Sequence, residues 1–461
     1  MPGGWRELLR VSFPLILSSG SISIQQFINR IFLSHWSTAS VAAAMPAGAL
    51  NWSLMSVFIG TAFYVSTFIS QYTGSGQHAM VGKAMWQGIW VGVFGAFAML
   101  IPYALAQQFF TFFGHPPEVI VEEVTYFRTL SLATFPLVAC GALSCFFSGR
   151  GDTWTTLWVN LGTAILNCVL DYLMIFGHGP FHAMGILGAG YATLIANSIA
   201  MIVYLLLVFR KSIDKTYSTR SGWRIDIVLM KRLLYFGLPN GLHWFVDVAG
   251  FTIFNLMLGR LGMLALGATN IAFQVDMLGL IPMQGIGIGV SILVGQYIGA
   301  NKPDNAERAG YSGMQIALVY ILPLSIAYVF VPEIFLFLFR DTQGHNNAML
   351  AIAAPLLGFA ALVSLFDAVA IATSSAIKGA GDTHFVVWFA ALTSPFLLIL
   401  PTWLSLTIFH RGLYTVWTIA ITYWCCLGVV FFLRFRQGKW KSMKVIEDPV
   451  INIKEPINLI S

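Results

Sequence analysis

Charge is what this sequence lacks. Of its 461 residues only 10% are Asp, Glu, Lys or Arg, where a soluble domain carries roughly a quarter. That scarcity excludes a water-soluble globule of this length, which has no interior large enough for so much apolar surface. Cysteine is sparse too. The five residues Cys140, Cys145, Cys168, Cys425 and Cys426 all fall in apolar stretches, where a thiol behaves as a small buried side chain. No disulfide framework, zinc site or cysteine nucleophile is expected. The nine histidines are scattered, with no spacing that pairs a base with a nucleophile, which disfavours a membrane-embedded enzyme such as an acyltransferase. Gly285-Ile286-Gly287-Ile288-Gly289 is preceded by no strand and lies in one apolar run, so it is no dinucleotide fingerprint. No organic cofactor is expected.

Long apolar sequence is what the chain has in abundance. Hydrophobic residues make up 57%, and the mean hydropathy is +0.77. A helix needs about 20 mostly apolar residues to cross the hydrocarbon of a bilayer. Such runs recur near 8–34, 44–73, 87–109, 123–147, 154–177, 187–210, 231–259, 269–299, 312–337, 349–378, 384–409 and 413–435. They are too long and too continuous for the alternating segments of about ten residues that build a β-barrel. The expected fold is an all-α polytopic membrane protein of about twelve transmembrane helices. The first run follows Arg6 and Arg10 but continues too far for a secretory signal and lacks a small-residue cleavage site.

The net charge of +6 needs no nucleic-acid partner. Basic residues precede the first run and populate the even-numbered loops: Lys83, Arg150, the stretch from Arg210 to Arg232, Lys302, Arg308 and Lys378. More follow the last run, from Arg434 and Arg436 onward, while the odd-numbered loops hold few. The positive-inside rule then puts both termini in the cytoplasm, at the plasma (inner) membrane.

Pro14 and Pro239 are 225 positions apart, as are Leu8 and Leu233. At the same offset Ser66 matches Ser291, Gln71-Tyr72 matches Gln296-Tyr297, and Gly74 matches Gly299. Further on the offset becomes 230. There Gly149-x-Gly151-Asp152-Thr153 matches Gly379-x-Gly381-Asp382-Thr383, and Trp158 matches Trp388. Rare residues held in register over such a distance are an internal repeat. Six helices per half give both halves the same orientation: two pseudo-symmetric six-helix lobes, with a substrate site between them near the midplane. The expected boundaries are 1–210 for the first lobe, 211–230 for a cytoplasmic linker, 231–435 for the second lobe and 436–461 for a cytoplasmic tail.

An acid near the middle of a membrane helix costs roughly 2.5–3.5 kcal/mol on insertion scales, so it persists mainly where it faces a cavity or a partner. Of nineteen acidic residues, Asp171, Asp247, Asp276 and Asp367 lie well inside the predicted spans. Asp247 and Asp367 fall in the first and fourth spans of the second half, with no adjacent Lys or Arg. Two carboxylates converging in a low-dielectric space either bind Na⁺ together with neutral oxygens or share one proton. The alternative for each is a hydrogen bond between helices. Ser364, one turn before Asp367, is a candidate neutral ligand. His243, four residues before Asp247, shares its helix face and is either a proton relay or a local hydrogen-bond partner. Asp276, near the start of its span, is an accessory acid or a helix-end residue. Asp171 has a packing role or an ion role. Asn29 and Arg30 lie late in the first span. Arg30 either snorkels to the outer interface or projects into the first-half cavity towards an acid or an anionic substrate group. The positions matching Asp247 and Asp367 are Ile22 and Leu137, so the coupling chemistry is expected in the second half.

Taken together, these residues resemble the multidrug and toxic compound extrusion (MATE) transporters, most closely the NorM branch, over the chain apart from its tail. The resemblance rests on the matched early prolines, the Gln-Tyr-x-Gly endings Gln71 to Gly74 and Gln296 to Gly299, and the Gly-x-Gly-Asp loops. It rests also on Gly185-Ile186-Leu187-Gly188-Ala189, on Trp244-Phe245-Val246-Asp247-Val248, and on Phe366-Asp367-Ala368-Val369 followed by Lys378-Gly379. It implies alternating-access efflux of amphipathic, usually cationic compounds in exchange for Na⁺ or H⁺, with Asp247 and Asp367 in cation coupling. Many members carry an aspartate late in the first helix, where this chain has Asn29 and Arg30. The expected function is a multidrug antiporter rather than an enzyme, working as a monomer in the lipid bilayer on a small amphipathic substrate. A flippase for lipids or lipid-linked oligosaccharides, from the same superfamily, is the alternative.

Overall fold

The computed structural model describes residues 2–339 and 347–447; the remainder of the expected tail, 448–461, lies outside them. Among the described residues, eleven helices are long and apolar enough to cross a membrane, and a bent pair makes a twelfth.

The first half opens with α1 (Trp5–Trp36) and α2 (Thr38–Phe63), which continues past Tyr64 as α3 (Val65–Gly74). Next come α4 (His78–Phe112), the pair α5 (Pro117–Leu132) and α6 (Thr134–Gly149), then α7 (Thr153–Phe176) and α8 (Ile186–Val208). The connection contains the short helix α9 (Lys211–Tyr217). The second half holds α10 (Ile227–Leu258), α11 (Met263–Gly299), α12 (Pro303–Phe330), the short α13 (Pro332–Leu336) and α14 (Asn347–Ala380). It ends with α15 (Thr383–Thr393), a π-helical turn (Ser394–Ile399), α16 (Leu400–Thr407) and α17 (Leu413–Gln437).

Several helices overrun the apolar runs that announce them. α4 begins at His78 and α12 at Pro303, each about two turns before its hydrophobic segment, because the first turns stand outside the hydrocarbon and need no apolar residues. Pro303 at the first helical position suits that start, since its missing N–H would have no helical partner anyway. The bend of 43° between α5 and α6 lies where Pro136 removes the N–H that would bond the Leu132 carbonyl and crowds that carbonyl with its ring.

Local chemistry ties the loops down. Asp152 caps α7 by accepting from Thr155 N at 3.3 Å. Its repeat-mate Asp382 instead accepts from Arg434 Nε at 2.8 Å. The glycines before them, Gly151 and Gly381, have φ of +91° and +125°, a backbone that side-chain-bearing residues rarely adopt. The linker is ordered against α4: Trp86 Nε1 donates to Thr219 O at 2.6 Å and Trp90 Nε1 to Trp223 O at 2.9 Å. The Arg150 guanidinium caps the Tyr217 ring at 4.5 Å. Within the linker, the Arg220 backbone N–H holds the Asp214 carboxyl below its ordinary range.

The halves meet reciprocally. Gln71 Nε2 donates to the carbonyls of Gly379 and Ala380, both at 3.1 Å, and its repeat-mate Gln296 donates to Gly149 O at 2.9 Å. A Cβ on Gly74 would collide with the Gln296 carbonyl, and one on Gly299 with the Gln71 carbonyl. Gly60 packs on Gly241 as Gly285 packs on Ile16, again at the repeat offset. Such exchange of partners is the signature of a two-fold interface, here built within one chain. It closes the face that carries the linker, α3 and the end of α17; the hydrogen bonds joining described residues of different halves cluster there.

Candidate functional site

Deep in the second half the structure gathers three of the four membrane-embedded acids. Asp247 lies on α10, Asp276 on α11 and Asp367 on α14. Asp367 is within electrostatic range of both others, and the α17 residue Tyr423 is within range of Asp247 and Asp367. The Asp247 side chain is 46% exposed. Its neighbours on α14 and α17 put that open surface inside the second bundle rather than against lipid.

Position narrows two of the alternatives left open by the sequence. Asp276 is no helix-end residue, because α11 begins at Met263 and runs to Gly299. Ser364 does not serve Asp367: its hydroxyl donates to Asp276. At the repeat offset of 225 the counterpart of Asp276 is Asn51, which donates to Ser131 Oγ at 3.1 Å. The two halves thus keep one polar crossing, but only the second half makes it with a carboxylate.

His243 Nδ1 lies 3.1 Å from Asp247 Oδ2, yet it is too poorly aligned for a hydrogen bond and has no other partner. The Lys378 ammonium on α14 is within electrostatic range of Asp247 and His243. In the sequence Lys378 reads as a loop charge and as part of the stretch that follows Phe366-Asp367-Ala368-Val369. Three turns separate it from Asp367 on α14, which is the spacing that would have placed both on one helix face.

The first half holds a site of its own. Three bonds cross from α1 to α7 at a constant separation of 142: Asn160 Nδ2 to Ser18 Oγ at 2.8 Å, Gln25 Nε2 to Asn167 Oδ1 at 2.8 Å, and Asn29 Nδ2 to Asp171 Oδ2 at 3.2 Å. Turned over, the Asn167 amide would instead donate to Asp171 Oδ2 at 2.9 Å, in place of accepting from Gln25 Nε2, an assignment that rests on the surrounding network. Asp171 is completely buried, and its Oδ1 has no partner. Tyr126 on α5 lies within electrostatic range of Asp171 and Arg30. Arg30 itself is exposed. The sequence held a signal for this ladder, because polar residues recur at the same seven-then-four spacing in both spans (18, 25, 29 and 160, 167, 171). Removing the Asn29 amide with Asn29→Ala leaves Asp171 short of a donor and is expected to cost about 1–3 kcal/mol, read as a lower melting temperature of the detergent-solubilised protein.

Among the described residues no group of three His, Cys, Asp or Glu side chains is arranged to hold a metal ion, and all five cysteines are free thiols. What the second-half cluster offers is narrower. Acids on three different helices share a low-dielectric space, where binding a proton or a small cation changes the charge that those helices must accommodate.

A family model described as MatE matches residues 14–173 and again 239–404, one match in each half. Among curated proteins, a probable multidrug resistance protein NorM from Brucella suis is 24% identical over 380 residues, covering 82% of this chain and 81% of its own. The multidrug resistance protein PmpM of Pseudomonas aeruginosa is 24% identical over 430 residues, covering 90% and 88%. Among solved structures, a MOP superfamily transporter from Pyrococcus furiosus superposes with a TM-score of 0.84 at 19% identity, over 95% of this chain and 96% of that one. A multidrug resistance MATE family transporter in an outward-facing conformation gives the same score and coverage.

Proposed function

Because this chain belongs to the MatE family of multi-pass membrane transporters, we propose that it is a multidrug antiporter whose coupling ion binds among Asp247, Asp276 and Asp367. The substrate is an amphipathic, cationic compound, and the exchanged ion is Na⁺ or H⁺. The bodies that rock are the halves 1–210 and 231–435, joined by the 211–230 linker, and the transporter acts as a monomer in the plasma membrane. The linker face is the cytoplasmic one, on the strength of its Lys and Arg residues. In the present state that face is shut, and in an alternating-access cycle the substrate space is then reached from the opposite side.

The grouping of three acids from three helices carries the reading. An ion drives transport only by binding one conformation better than the other, and a carboxylate contributed by each of several moving helices has that property. Asp247 and Asp367 hold the ion, Asp276 with Ser364 is the accessory pair, and His243 lies beside Asp247 as a further accessory group. A second ion site at Asp171, Asn167 and Asn29 is favoured by the free Oδ1 of Asp171. Arg30, exposed beside it, bears on which substrates are admitted.

The test is uptake of a cationic dye into inverted vesicles under an imposed Na⁺ or H⁺ gradient. Gradient-driven dye movement that collapses with the gradient is the expected result. Dye movement indifferent to both ions would sink the exchange mechanism. Scrambling of a fluorescent phospholipid in the same vesicles, with no dye transport, would favour a flippase instead.

A further inference from the structure

Past the last membrane helix the chain stays on the protein. Gly438 makes a left-handed turn with φ of +73°, and the residues after it run across the linker face. Trp440 is completely buried against the second half, its indole stacked on Phe435 with ring centroids 5.2 Å apart. Lys441 Nζ lies 2.7 Å from Glu307 Oε2 on α12. Five residues beyond Trp440 the chain has reached the other half. Val445 and Ile446 are buried at the seam, in a core that holds Tyr72 of the first half together with Leu229 and Leu233 of α10, and Glu447 pairs with Arg232 at 2.7 Å. Val445 N–H donates to Gln71 Oε1 at 2.9 Å, and Gln77 Nε2 donates to Glu447 O at 3.4 Å.

The identity of that acceptor matters. Gln71 is the residue whose Nε2 grips the Gly379 and Ala380 carbonyls of the second half, so its amide is occupied on both sides, by the opposite half and by the tail. Among the described residues its repeat-mate Gln296 receives no such backbone donor. The segment that follows the first half in the tail's equivalent position, the linker, docks on α4 of its own half instead. The clasp is therefore single, laid over one arm of an otherwise reciprocal closure.

We propose that residues 438–447 are a latch that holds the linker face shut and must leave the first half before the transporter opens there. This rests on the alternating-access reading above. Opening that face parts Gln71 from Gly379 and Ala380, the line that the latch straddles. The five residue steps between the anchors span at most about 3.3–3.6 Å each when fully extended, which sets an upper bound on how far the anchors can part. The end that yields is the one held by Val445 and Ile446, because the opposite anchor is a whole indole sunk in the core of the second half. The latch thus biases the resting protein outward, and weakening it shifts the population inward without touching the ion site.

The experiment measures the distance across the linker face by double electron–electron resonance. Nitroxides are placed at Ala79→Cys and Asp304→Cys, which are exposed on opposite halves, in a background with the five native cysteines replaced. In the otherwise native chain the longer, open component is expected to be minor, roughly 10% or less. Val445→Asp with Ile446→Asp, and separately a chain ended after Gly438, are expected to make the open component the larger one. Val445→Ala with Ile446→Ala trims the same contacts without adding charge and moves the distribution the same way by less. Three distributions that match the native one overturn the latch. The distances require no substrate, so an absence of dye transport would count against the proposed exchange and leave this result standing.

Discussion

Asp367→Asn is expected to uncouple export from the ion gradient while leaving the protein folded. The substitution keeps the shape and hydrogen-bonding reach of the side chain and removes only its charge. In a membrane interior, losing a charge relieves a cost rather than creating one, so expression and melting temperature should hold or rise. What disappears is the ion's differential affinity for the two states. Coupling energies of about 1–3 kcal/mol correspond to changes of roughly 5–150-fold in the affinity of one ligand caused by another. Dye export driven by the gradient should fall by a factor in that range, while binding of dye to the solubilised protein stays within a few-fold of native. Asp247→Asn should behave alike, because its partly exposed carboxylate belongs to the same group. Vesicles in which both variants export normally under a gradient would show the ion to be bound elsewhere, and Asp171→Asn is then the variant to examine.

The frame of this molecule was legible because rare residues mark it twice. Prolines, Gln-Tyr pairs and Gly-x-Gly-Asp loops survive in register when the apolar filling between them drifts, since each answers a backbone demand. Gly381 must take a positive φ, and Gly379 cannot carry a Cβ 2.6 Å from the Ser291 carbonyl. Span positions followed for the same reason, as hydropathy measures the hydrocarbon and the hydrocarbon fixes length. Asp247 and Asp367 stood out because a membrane acid needs a reason to exist. Pairings between helices were another matter. Ser364 and Asp276 are 88 positions apart, and nothing in either neighbourhood says which helix faces which. The α1–α7 ladder was present as a repeated spacing of polar residues, but each amide alone reads as an ordinary uncharged residue. The π-helical turn at Ser394, whose hydroxyl would meet a Cβ on Gly250 at 2.7 Å, arises from how α15 must bend around α10, one turn past Asp247. That is a tertiary constraint, and Pro395 is its only local trace.

Gly74→Ala is expected to force the linker face open, and Gly299→Ala to do so by nearly the same amount. Each glycine lies against the backbone carbonyl of the other half's glutamine, so a methyl group there meets atoms that cannot rotate away. Overpacking of this kind typically costs about 1–3 kcal/mol. The penalty falls only on the state in which α3 and α11 touch, because separation of the halves relieves it. A cost borne by one state alone shifts the ratio of states by its full value, roughly a factor of 5–150. The distance across the linker face should lengthen in each variant. Because both substitutions act on one crossing, the double variant should gain less than the sum of the two. Gly162→Ala is the control: it is a helical glycine with open space around it, and the exchange should stabilise α7 by up to about 1 kcal/mol without shifting the halves. The reciprocity of the interface gives the comparison its force. If Gly74→Ala opens the face and Gly299→Ala does not, the closure is carried by the Gln71 arm and its latch rather than by a two-fold crossing. If neither differs from Gly162→Ala, the touching backbones of α3 and α11 are not the gate.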